Sequence, residues 1–181
     1  MHDRSRQGQT GQALIESVVA ILLISLLFMG LVQISLLYTA KEVVQYASNK
    51  GARARTVGLN NFMIYKTVRV GTIPNAGKMV WPEVEGGPIE QSEVELANIP
   101  WYLGAPNASY LPAILDYDNW SSVSYNSPAP FPGGPLTVTV SQNYPLTMPG
   151  HSAFYADDIM PLEGETKMES HYSLYMNDMG W

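Results

Sequence analysis

Residues 11–40 read GQALIESVVAILLISLLFMGLVQISLLYTA. After Glu16 no charge appears until Lys41, which leaves 24 uncharged residues rich in Leu, Ile and Val. A helix of that length rises ~36 Å, enough to cross a hydrocarbon core of ~30 Å. A soluble core helix keeps one charged or polar face, and this stretch has none. It predicts a membrane-spanning helix, with its transmembrane part at about residues 14–40.

The helical pattern continues past Ala40. In KEVVQYASNKGARART, residues 41–56, apolar Val43, Val44, Tyr46 and Ala47 recur among charged neighbours at spacings of three and four. One stripe can pack while the rest faces water. Gly51 is a candidate break, and Gly58 followed by Asn60 and Asn61 is a firmer stop. The expectation is a single helix over residues 12–56, about 65 Å long, whose second half lies in the aqueous phase.

Ahead of the helix, MHDRSRQGQTG (residues 1–11) is short and polar and carries Arg4 and Arg6. A secretory signal has an apolar run of about 7–15 residues and a small-residue cleavage site after it. The run here is longer and is followed by more helix, so an uncleaved anchor fits better than an ordinary signal. Gly11 precedes Glu16 by five positions at the border between basic leader and apolar run, a pattern that resembles the processing site of type IV pilin-like precursors. That resemblance implies a prepilin peptidase cutting after Gly11, so that Gln12 starts the mature chain. Glu16 also has a simpler reading, as a carboxylate in a first helical turn favoured by the helix dipole.

Charge is divided unevenly. Up to Arg69 there are eight Lys or Arg and three Asp or Glu; from Val70 onward there are two Lys and thirteen acidic residues. The net charge of −6 thus conceals a basic N-terminal part and an acidic distal domain. An acidic domain without a basic stripe argues against nucleic acid as a partner. The absence of cysteine excludes disulfides, thiolate metal sites and cysteine nucleophiles. Lys41, Lys50, Arg53 and Arg55 outnumber Arg4 and Arg6, so the positive-inside rule alone would put the C-terminal domain in the cytoplasm. Basic residues near a helix C-terminus also favour its dipole or contact lipid phosphates.

The distal chain, residues 57–181, is expected to form an acidic α+β domain. Residues 61–70, NFMIYKTVRV, are either a short helix capped by Asn60 or Asn61 or a strand. A short strand is expected at 78–81. A helix opened by Ser92 and interrupted by Pro100 is expected at 93–103, and another at 108–118 with Asn107 as its cap. WSSVSY at 120–125 is a weak strand, and SPAPFPGGP at 127–135 is a turn-rich connector. LTVTVS at 136–141 alternates cleanly, and residues 167–176 alternate again. With the intervening residues as a wide loop, these two strands are expected to pair as an antiparallel hairpin.

Together these segments resemble the TadE-like pseudopilin family of tight-adherence (Flp-type) pilus systems. The resemblance rests on the GQALIE entry to the helix, the VVQYASNKGARART extension, and the LTVTVSQNYPLTMP and TKMESHYSLYM segments near the end. Ser17 stands where the family commonly has Phe or Tyr, and the apolar run lacks the Pro often found inside it. The resemblance implies export of the distal domain from the cytoplasmic (inner) membrane, with the N-terminus cytoplasmic. It implies pilin-like subunits and pilus assembly machinery as partners, beside membrane lipid and a prepilin peptidase. Glu16 would then neutralise a neighbouring subunit's N-terminal amine.

Enzymatic chemistry has little support. Ser, His and Asp all occur, but neither G-x-S-x-G nor H-E-x-x-H does, and no cofactor is implied. Asp157, Asp158, Glu163 and Glu165 offer oxygen ligands for calcium without the spacing of an EF-hand loop, so a solvated acidic loop is the commoner reading. Asn107-Ala108-Ser109 fits a glycosylation acceptor, a pattern frequent by chance. His2, His151 and His171 are scattered, and Trp81, Trp101 and Trp120 are expected as core and strand residues rather than a ligand cage. Two functions of different class result: a minor pilin-like subunit that helps assemble an envelope filament, or a stand-alone anchored binding domain.

Overall fold

The computed structural model describes residues 4–128 and 134–169. A single helix, α1 (Arg4–Thr56), opens the chain. It starts earlier than the expected residue 12, because nothing between Arg4 and Gly11 forbids helix and no proline interrupts it. It passes through Gly51 and ends where expected. Gly58 takes a left-handed conformation at φ 87°. Its N–H bonds the Arg55 carbonyl (2.9 Å) and the Leu59 N–H bonds the Ala54 carbonyl (3.2 Å). This is a Schellman closure, in which glycine meets no Cβ penalty.

By its contacts the chain forms two units. One comprises the chain up to Leu37 with Pro145–Ile159; the other comprises Tyr38–Tyr144 with the chain from Met160 onward.

In the second unit, α1 presents a face of small residues. Ala40, Val44, Ala47, Ser48, Gly51, Ala52 and Arg55 are buried. The expected stripe is therefore rotated: Val44 and Ala47 are buried, Val43 is half-buried, and Tyr46 is exposed under the Lys50 ammonium (5.2 Å from the ring centre). Helix α2 (Asn61–Gly71) follows, settling the open choice at 61–70. Asn60 caps it by accepting the Met63 N–H at 2.9 Å. A Cβ on Gly71 would lie 3.0 Å from the Ala47 Cα, and one on Gly51 would lie 2.9 Å from Val68 Cγ2. The two helices approach this closely because at each contact one of them contributes a glycine, Gly71 against Ala47 and Gly51 against Val68. Phe62, Ile64, Lys66, Val68 and Gly71 are all buried, so α2 is covered on more than one side and shows no clean period in sequence.

Strand β1 (Met79–Trp81) leads to helix α3 (Pro88–Gly104), which begins earlier than Ser92 and continues through Pro100. Pro88 occupies the first turn, and Glu90 accepts the Gly87 N–H at 2.9 Å. Pro100 is tolerated because it and Leu96 lie on the exposed side, where water can take the carbonyl that lacks a donor. The helix expected at 108–118 is instead a 3-10 turn, a short helix α4 (Leu111–Ile114) and strand β2 (Asp116–Tyr117). Strand β2 pairs antiparallel with β1, Met79 opposite Tyr117. A 3-10 turn at Asp118–Ser122 replaces most of the expected strand at 120–125 and leaves β3 (Ser124–Asn126).

The second sheet has the order β3-β4-β5, with β4 (Pro135–Pro145) central and β5 (Ile159–Glu169) at its side. Strands β3 and β4 are antiparallel, Tyr125 opposite Val140. On β4, Leu136, Val138, Val140 and Gln142 face inward. Strand β5 starts well before residue 167, and residues 170–176 of the expected strand lie outside the described residues. The acidic loop expected around Glu163 and Glu165 is therefore strand. Its inward residues are Leu162, Gly164 and Thr166, only one of them a large apolar, which hides the alternation from a sequence reading. The fold is α+β, a long N-terminal helix followed by a domain with antiparallel sheets.

Two polar anchors join the core. Ser48 donates to the Val138 carbonyl (2.7 Å) and to Thr166 Oγ1 (2.9 Å). Buried Lys66 donates to the Leu103 carbonyl and to the Ala105 carbonyl (2.9 Å), closing the C-terminal end of α3, with the Phe62 ring 4.4 Å away. Burial holds its pKa below the usual lysine value. Trp120 is fully buried between Tyr102 and Tyr117, at ring distances of 5.3 and 4.7 Å. Trp81 is a strand residue, at the end of β1, while Trp101 lies on α3 and is neither core nor strand; both are exposed, and the Trp81 indole N–H reaches the Ala113 carbonyl at 2.6 Å.

The tightest seat is Gly164. A Cβ there would lie 2.8 Å from backbone atoms of Val44 and Gln45. Backbone cannot rotate away as a side chain can, so Gly164→Ala is expected to destabilise the fold by about 3 kcal/mol. Urea unfolding of the detergent-solubilised chain, followed by tryptophan emission, checks it.

Candidate assembly interface

The first unit holds the apolar part of α1. Residues 11–25 are exposed around the whole helix, including Leu14, Ile15, Ile21, Leu22 and Ile24. A surface apolar on every side is stable only in hydrocarbon or against other apolar helices. Gly11, Gln12 and Glu16 all lie on this exposed stretch, and nothing stands within 4 Å of the position a Gly11 Cβ would take. Five residues separate Gly11 from Glu16, about 7.5 Å along the axis and roughly 140° around it, so they occupy different faces. Ser17, beside Glu16, returns its hydroxyl to the Ala13 carbonyl at 2.8 Å and needs no partner elsewhere.

Farther along, the connection between β4 and β5 lies on the same helix. Phe154 covers Gly30, where a Cβ would sit 3.1 Å from the ring Cζ. Gln33, the one strongly polar side chain within the apolar run, is buried and accepts the Met148 N–H at 3.2 Å. The Leu146 N–H bonds the Asp158 carbonyl (2.8 Å), tying the ends of the connection together. Within it, His151 has two acceptors: the Met148 carbonyl at 2.9 Å from Nδ1 and the Asp158 carboxylate at 2.8 Å from Nε2. Satisfying both requires both nitrogens to donate, which is the imidazolium form. Its pKa is raised accordingly, first by Asp158 and then by the Met148 carbonyl.

The basic residues after the apolar run also have structural partners. Lys41 donates to the Glu163 carbonyl, Lys50 lies over Tyr46, and Arg55 donates to the Leu59 carbonyl and to Asn61 Oδ1 (3.2 Å). These roles belong to the folded domain and dilute the meaning of a bare charge count. Two open grooves mark the second unit. One, of about 700 Å³, is lined by Pro100, Trp101, Pro106, Tyr110 and Ile114. The other, of about 450 Å³, lies between α1, the end of α2 and α3, with Tyr46 and Ile99 among its walls. The surface of both is mostly apolar, and Thr39, Glu42 and Glu95 are polar residues in the walls of the second. Among the described residues, no three His, Asp or Glu gather as a metal site. Asp158 pairs with His151, and Glu165 with Lys167 at 2.9 Å. His2 and His171 lie outside the described residues.

One apolar helix leading into an α+β domain defines the class, a protein with the makings of a single-pass membrane anchor. Residues 11–53 match the family model described as TadE-like protein. The match covers that helix and not the distal domain. None of the curated proteins and none of the solved structures matches the chain.

A pH dependence follows from His151. Its folded pKa is raised, so what the pair adds to the loop is fully present below the unfolded value of about 6.5. That contribution fades as pH climbs through the folded pKa. In Asp158→Asn the His151 titration, followed by NMR of the ring protons, is expected to move down toward the ordinary value.

Proposed function

We propose that the chain is a minor pilin-like subunit that takes part in assembling a Tad/Flp-type pilus or related envelope filament. The observation that carries this reading is where the family match falls. Residues 11–53 are the helix itself, from the candidate cut site through the apolar run to the packed small-residue face, rather than the distal domain. The function lies in the helix, with the acidic domain as its load.

The chemistry of assembly follows from Gly11 and Glu16. A prepilin peptidase at the cytoplasmic membrane face would cut between Gly11 and Gln12, creating a new amine at the start of an apolar helix. A carboxylate or an ammonium alone in hydrocarbon is costly, and pairing the two in good geometry offsets part of that cost. Glu16 of one subunit and the Gln12 amine of its neighbour are such a pair. Lateral packing of the exposed apolar faces then brings the helices side by side. In this reading the N-terminus is cytoplasmic and the domain lies on the periplasmic or extracellular side. Lys41, Lys50 and Arg55 have local structural roles beside their charge, which the charge count does not weigh.

Co-expression with a prepilin peptidase is expected to yield a mature chain beginning at Gln12 by mass spectrometry. Replacing Gly11 with Leu is expected to leave the leader attached. An unprocessed chain in both cases would favour a stand-alone anchored domain.

Orientation is tested separately. The chain has no cysteine, so an exposed Ser109→Cys variant carries a unique thiol. A membrane-impermeant maleimide should label it in intact cells once the outer envelope is permeabilised. Labelling only after the inner membrane is lysed would reverse the topology.

A further inference from the structure

We infer that the connection between β4 and β5, residues 146–158, is a membrane-interface element whose Phe154 edge enters the headgroup layer of a zwitterionic phospholipid bilayer. The inference rests on α1 spanning the membrane and adds where the span ends and what lies there.

Its position comes first. Following α1 from Gly11, the first buried residue is Gly30, under the Phe154 ring, and the next is Gln33, bonded to Met148. Leu26 also touches the connection, its Cδ1 3.9 Å from the place of a Gly150 Cβ. From Gly11 to Gly30 the helix rises about 30 Å, one hydrocarbon thickness. The connection therefore begins to cover the helix where a bilayer entered at Gly11 gives way to its polar layer. The apolar count alone would carry the span on to Ala40, but Ala40 is buried in the domain and accepts a bond from Asn75 at 2.8 Å.

Depth is limited by backbone chemistry. Irregular backbone facing lipid cannot sit in hydrocarbon, where its N–H and C=O groups lack water. The connection meets part of this demand itself. The His151 N–H bonds the Met148 carbonyl, and the Phe154 and Tyr155 N–H groups both reach the His151 carbonyl. The exposed acids Asp157 and Asp158 must remain hydrated. Together these hold the element at the interface and out of the core.

Exposed apolar side chains occur both on the connection, whose Phe154 touches Gly30, and on the helix beside it. Phe154 is 47% exposed and Ile159 53%, while Leu31 and Ile34 of α1 are 66% and 56% exposed. An aromatic ring at this level is favoured at the boundary between tails and headgroups. Residues 146–158 contain no Lys or Arg, and the one imidazolium, His151, is held by the Asp158 carboxylate, so the segment offers no cationic clamp for anionic lipid. With Asp157 and Asp158 against the single His151 cation the segment stays net negative and is repelled by such a surface, which is why the occupant is a zwitterionic phospholipid. Gln33 and Gly30 serve the same arrangement, the one satisfying backbone at the boundary and the other making room for the ring.

The test uses the full chain in phosphatidylcholine nanodiscs, with single cysteines spin-labelled at Leu22→Cys, Phe154→Cys and Ser109→Cys. Collision with oxygen and with a water-soluble nickel chelate reports depth. Leu22 should favour oxygen and Ser109 nickel, while Phe154 should show several-fold less nickel access than Ser109 and more than Leu22. A deep Leu22 with Phe154 as nickel-accessible as Ser109 would overturn the inference and leave the anchor standing. Nickel access at all three would overturn the anchor reading and the inference together. Since Phe154→Cys removes the ring, a label at Ser152→Cys with Phe154 intact serves as the second probe. It should be shielded from nickel, and adding Phe154→Ser should release it; a label indifferent to that change would count against the inference.

Discussion

The structure depends on one helix having to satisfy two environments without a break. In its first half α1 must offer hydrocarbon-compatible side chains in every direction, because a polar face there would be stranded. In its second half it must let two other layers approach its backbone. Large apolar residues serve the first demand and small ones the second. Continuity of the helix satisfies every backbone group between them, which an unwound joint near the membrane could not do.

Close approach then sets the positions of the neighbouring elements. Helix α2 sits against α1 where Gly71 meets Ala47 and where Gly51 meets Val68, and β5 sits where Gly164 meets the backbone of Val44 and Gln45. Each contact trades a side chain for proximity. Polar groups are then placed to suit: Ser48 bonds β4 and β5 through Val138 and Thr166, and Lys66 closes the end of α3. The buried lysine is tolerated because two carbonyls and the Phe62 ring replace its water. The function proposed for the helix follows from the same division, with an apolar surface left for other helices or lipid and a domain fastened to its far half.

Much of this was legible from residues alone. The uncharged run from Ser17 to Ala40, the stop at Gly58, the Asn60 cap and the alternation of Leu136, Val138 and Val140 each carry a local physical signal. The start of β5 carried none, since its inward positions are Leu162, Gly164 and Thr166. Trp81 and Trp101 read as core or strand residues, and Trp81 does end β1, yet both side chains are exposed. Lys66 was invisible as a core residue because burial of a charge depends on carbonyls some forty positions away in sequence.

By itself the sequence determined an apolar run long enough to serve as an anchor, the acidity of the distal domain and its α+β class. These depend on composition and short-range periodicity, which any window of the chain displays. Tertiary structure alone decided which face of α1 is packed, that residues 159–166 are strand, and that Phe154 and Met148 return to Gly30 and Gln33 on the apolar run. The physical reason is the same in each case. A glycine, a glutamine or a backbone N–H has no preferred partner until another part of the chain arrives, and the arrival is set by packing between residues more than a hundred positions apart.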